Sequence, residues 1–128
     1  MLNHTRQLNL KYIFKIQMKI DNLPFYIGEQ YENWEFELDI LPERIKGYDS
    51  YLYVGNNFNL KKSKDKYELL FSLDVLVAVI IFFEREKNTS KIKLSFLIDT
   101  CYRTLLLNNR IILIYGKPCL VDRICRLV

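Results

Sequence analysis

The fifteen residues LLFSLDVLVAVIIFF, positions 69–83, decide the fold. All but Ser72 and Asp74 are apolar. A membrane-spanning helix needs about 20 such residues, and an Asp inside the run raises the cost of insertion further. The stretch therefore reads as a buried core element, and the choice lies between helix and strand. Asp65-Lys66-Tyr67-Glu68 has the spacing of a capping box, which favours a helix start. Val75, Val77, Val79, Ile80 and Ile81 favour a strand. A continuous apolar run carries no period to arbitrate. The reading adopted is a short helix over 66–73 followed by a buried strand over 75–83. One helix across 66–86 is the alternative and would make the protein α+β.

Outward from this run, alternation takes over. Over 8–20 the even positions are Leu8, Leu10, Tyr12, Phe14, Ile16, Met18 and Ile20, and Lys11, Lys15 and Lys19 fall between them. That pattern predicts a strand with one buried and one basic face. Over 34–40, Trp34, Phe36, Leu38 and Ile40 alternate with Glu35, Glu37 and Asp39. A second strand follows, with an acidic outer face and the even positions inward. Opposite charges facing across a strand pair stabilise it by roughly 0.2–1 kcal/mol each, so the two are expected to be antiparallel neighbours. Pro42 to Gly47 suits a single helical turn. Strands are expected over 48–54 and 92–98, a charged loop over 61–66, and a tight hairpin at Asn108-Asn109 between 102–107 and 110–115. The tail 119–128 fits a last strand or a helical turn. The expected architecture is mainly β. It is one domain over 1–128, an antiparallel sheet with a strongly curved half-barrel as one form. One or two short helices complete it, and residues 1–7 form a flexible N-terminus.

Composition agrees with sheet. Half of the 128 residues are hydrophobic, 27% are charged, and mean hydropathy is −0.04, which excludes a disordered chain. Ala78 is the only alanine, beside nine Tyr and eight Phe. Alanine is the best helix former, while aromatic and β-branched residues prefer strands. Abundant Ile, Lys, Asn, Tyr and Phe also point to an AT-rich gene. Cys101, Cys119 and Cys125 make an odd count without a CxxC spacing, and residues 1–12 lack an apolar leader. The expectation is a cytoplasmic protein with three reduced thiols, buried as small hydrophobes. Cys119 and Cys125, nearest the tail, are the more reactive candidates.

Catalytic signals are few. His4 is the single histidine, in the expected flexible terminus, which removes His-based triads and metal sites. No Walker, GxGxxG, HExxH, GxSxG or EF-hand pattern occurs. Glu35 and Glu37 on one strand would share a face about 6.7 Å apart, a spacing open to acid–base chemistry, but an exposed acidic face gives the same pattern. Asp74, alone in the apolar run, suits a hydrogen-bonded turn better than a buried functional carboxylate. The expectation is no enzyme, no cofactor and no metal.

Charge is the informative feature. Net charge is +4, yet residues 29–43 hold six acids and no base, interleaved with Tyr31, Trp34 and Phe36. An acidic, aromatic segment on a basic body suits a basic protein partner and speeds encounter with it. Glu32, Glu35, Glu37, Asp39 and Glu43 would supply charge. Tyr31 would be the anchor, with Trp34 and Phe36 inward. The competing use of these acids is pairing with Lys11, Lys15 and Lys19 inside the sheet. As a class profile, this resembles the small immunity proteins of bacterial toxin–immunity pairs, which inhibit a basic toxin domain by direct binding. A β-barrel-like binder of an apolar ligand is the first alternative, and a nucleic-acid-acting enzyme the second. Neither a membrane nor a nucleic-acid partner is expected. The basic stretch Lys61-Lys62-Ser63-Lys64 lacks Arg and reads as solvated loop.

Overall fold

The computed structural model describes residues 24–56, 65–83, 100–108 and 110–128. The strands expected over 8–20 and 92–98, the N-terminus and the loop residues 61–64 lie outside the described residues. The rest forms a mainly β architecture. Its strands are β1 (Leu38–Leu41), β2 (Asp49–Tyr53), β3 (Lys66–Ser72), β4 (Val75–Phe82), β5 (Cys101–Leu107) and β6 (Arg110–Gly116). They make one open antiparallel sheet in the order β1-β2-β3-β4-β6-β5. One helix follows, α1 (Pro118–Leu127).

The run 69–83 is a β-hairpin, not a helix followed by a strand. Tyr67, Leu69 and Phe71 face one side of the sheet, while Leu70 faces the other. A strand buried on both faces reads as a continuous apolar run. Asp65 to Glu68 is no capping box: Lys66 already begins β3, and Glu68 pairs across the sheet surface with Arg44. The hairpin turns at Leu73-Asp74, with φ of 50° and 65°. Two left-handed residues are what a tight hairpin requires. Asp74 is thus a turn residue, and its carbonyl accepts the Tyr31 N–H at 2.7 Å. The expected buried strand over 75–83 is β4.

Each face of the sheet has its own cover. On one, Phe25 and Ile27 pack on Tyr53, Tyr67, Leu69, Phe71, Val79, Ile81, Leu113 and Tyr115. This is the aromatic face. On the other, Leu120, Val121 and Ile124 of α1, with Ile45, pack on Leu70, Ala78, Ile80, Ile112 and Ile114. This is the helix face. Full burial of each such aliphatic side chain contributes about 1.5–3 kcal/mol. Pro118 opens α1 at a position where its missing N–H costs nothing. The tail is therefore helical, and the hairpin β5–β6 turns through Asn108 at φ 51° as its spacing predicts.

Two further expectations change. Residues 42–47 form bends and turns rather than a helical turn. Cys119 is exposed, while Cys101 and Cys125 are half-buried; all three are free thiols. Among the described residues no helix is long and apolar enough to cross a membrane.

Candidate functional site

The acidic segment is not the strand its alternation suggests. Residues 28–31 zip onto the start of β4: Gly28 N–H donates to the Leu76 carbonyl at 2.8 Å, and Leu76 N–H to the Glu29 carbonyl at 2.9 Å. Two 3-10 turns then carry the chain across the aromatic face, Tyr31–Asn33 and Glu35–Glu37. Only from Leu38 does it enter the sheet as β1, against β2. The cause is a set of side-chain anchors. Trp34 Nε1–H donates to Glu29 Oε1 at 2.7 Å, and the Tyr26 N–H donates to the same oxygen at 3.0 Å. Tyr53 O–H donates to Glu37 Oε1 at 3.0 Å, and Val54 N–H to the Glu37 carbonyl at 2.8 Å. The Trp34 ring meets Phe25 edge-on at 5.0 Å.

These anchors sort the segment into inward and outward groups. Trp34 is inward, as expected. Tyr31, the expected anchor, is half-buried, 5.1 Å from the Tyr51 ring and 5.4 Å from Phe71. Phe36, expected inward, is 93% exposed, and Ile40 is 78% exposed. Glu37 is held by Tyr53, and Glu29 by Trp34 and Tyr26. Glu32, Glu35, Asp39 and Glu43 are exposed and make no ion pair with a described residue. Whether Lys11, Lys15 or Lys19 faces them lies outside the described residues. Glu35 and Glu37 share a 3-10 turn, so the strand-face carboxylate pair considered for catalysis does not form.

Beside Tyr31 the Tyr51 phenol is pushed above its ordinary pKa. Burial is the main cause, followed by Tyr31 and the Asp49 and Asp74 carboxylates. Among the described residues no group of three or more His, Cys, Asp or Glu could hold a metal ion. The sequence offered no signal for the exposure of Phe36, because the Glu35-Phe36-Glu37 triplet reads equally well as strand or as 3-10 turn. Comparisons with protein-family models, curated proteins and solved structures find no match to this chain.

Proposed function

We propose that the protein is a non-enzymatic binding module that docks a basic protein on its acidic segment, in the manner of an immunity-type inhibitor neutralising a bacterial toxin domain. One observation carries the reading: Phe36 stands 93% exposed between Glu32, Glu35, Asp39 and Glu43, four exposed carboxylates without an ion-pair partner among the described residues. An exposed aromatic ring offers a large apolar area that a partner can bury. An aromatic at an interface centre can contribute 2 kcal/mol or more, while rim charges mainly set the on-rate. Phe36 replaces Tyr31 as the anchor, since Tyr31 is committed to Tyr51 and Phe71.

Affinity purification from the native cell, with the partner identified by mass spectrometry, supplies the binding assay. The partner should be basic. Glu32→Lys with Glu35→Lys should slow association and flatten its salt dependence; Phe36→Ala should speed dissociation. If both variants are folded and bind the same partner with unchanged kinetics, the segment is not the site.

A second reading, a binder of an apolar ligand, has one observation behind it. A cleft of about 310 Å³ at the β5–β6 hairpin is lined by Phe82, Leu107, Ile111 and Ile112, with Arg110 and Asn108 beside them. Decanoate, an apolar chain with a carboxylate for Arg110, is the probe. Titration calorimetry without heat of binding removes this reading.

A further inference from the structure

β5 and α1 meet along a seam. In β5, Cys101, Arg103 and Leu105 point to the helix face, and Cys101 and Leu105 pack on the cluster under α1. From the helix, Cys125 packs on the same cluster. Asp122 and Cys125 are three residues apart, so they share one side of the helix. Arg103 Nη2 reaches Asp122 Oδ1 at 2.7 Å. Strand and helix thus each bring one thiol and one charge to the seam, and the charges are already joined. The thiols share their surroundings as well. Burial, the largest influence, raises both; Asp122 raises both; Arg103 lowers both. The Cys125 sulfur is itself among the groups that raise Cys101.

We propose that Cys101 and Cys125 form a site of oxidative modification, closed by a peroxide into an intramolecular disulfide that ties α1 to the outer strand β5. The chemistry balances in two steps. One thiolate attacks the peroxide O–O bond, giving a sulfenic acid and, with hydrogen peroxide, one water. The second thiolate attacks that sulfur, the S–S bond forms, and the hydroxyl leaves as water with the thiol proton. Two electrons pass from the thiol pair to the peroxide. Cys119 takes no part: it is exposed in the first turn of α1, six residues from Cys125 along the helix. Burial raises both thiols, so only a small thiolate fraction attacks at neutral pH, and closure should quicken as pH rises.

The closed loop holds the β5–β6 hairpin and most of α1. Its closure restricts the unfolded chain and should raise Tm by about 10 °C. The test treats the full-length protein with hydrogen peroxide under native conditions, caps the remaining thiols after denaturation, and maps peptides without reductant. The expected product is a monomer with a Cys101–Cys125 linked peptide, a raised Tm, and reversal of both by dithiothreitol. Cys125→Ser should abolish the linked peptide and the Tm rise. The proposal fails if Cys101 and Cys125 both remain cappable while Cys119 is oxidised. It also fails if Cys125→Ser keeps the Tm rise.

Discussion

Arg44 closes a two-point ion pair on Glu68: its Nε–H donates to Oε2 at 2.8 Å and its Nη2–H to Oε1 at 2.6 Å. The guanidinium also lies 5.8 Å from the centre of the Phe82 ring. The Glu68 side chain is only 5% exposed, so the carboxylate has little water to fall back on. Breaking such a pair from one side costs about 3–5 kcal/mol. Arg44 keeps 26% exposure, which places the effect at the low end. Arg44→Ala should therefore cost about 3 kcal/mol in urea unfolding. Arg44→Met with Glu68→Leu should recover most of it. A loss under 1 kcal/mol in the single variant would contradict the pairing.

Leu73 should be improvable. It sits at φ 50° and is 94% exposed, so its side chain gains nothing for the strain of its backbone. Asn adopts this conformation more readily. Leu73→Asn should stabilise by about 0.5–1 kcal/mol. Chemical denaturation measures it, and a lower midpoint would mean that Leu73 is covered in solution.

Gly116 tolerates no side chain. Its φ is 153°, and a Cβ there would run into the Val77 carbonyl oxygen and come within 2.8 Å of Ala78 Cα. Both obstacles are backbone of the central strand β4 and cannot step aside. Gly116→Ala should cost about 2–4 kcal/mol, a strain effect. Thermal unfolding of the purified variant provides the check.

Stability should fall in alkali for a nameable reason. Burial holds the Tyr115 phenol far above its ordinary 10.0, with the Glu29 carboxylate adding to the rise. A raised folded pKa means that the unfolded chain loses this proton first. The contribution is whole below pH 10 and declines above it, by about 1.4 kcal/mol per pH unit. Tyr115→Phe should flatten that slope. If the slope is unchanged, other tyrosines or lysines carry the alkaline transition.

What the sequence discloses differs by element. Asn108-Asn109 names its hairpin, because Asn tolerates the left-handed backbone. Leu73-Asp74 makes a similar turn with a residue that signals nothing, and the β3–β4 hairpin is hidden for that reason. Glu68 misleads at a capping spacing, since only the fold brings Arg44 to it from 24 residues away. Segment 34–37 misleads through alternation. Its course is set by the hydrogen bonds of Glu29 and Glu37 to Trp34 and Tyr53, and period 2 cannot report such bonds. The acidity of the site was legible because charge needs no geometry. The choice of Phe36 over Tyr31 as its outward aromatic was not.

The two covers of the sheet also differ in when they arrive. The residues that shield the aromatic face, Phe25 and Ile27, precede every described strand, whereas α1 follows β6. During synthesis, at about 5–20 residues per second, the sheet's helix face is complete before its lid has emerged. Until α1 docks, Leu70, Ala78, Ile80 and Ile114 lack its cover and present an apolar surface. A chain cut short before Pro118 would leave the sheet with one greasy side, the state in which holdase chaperones and aggregation compete for it. Truncation after Gly116 should lower the soluble yield, while removal of Val128 alone should not.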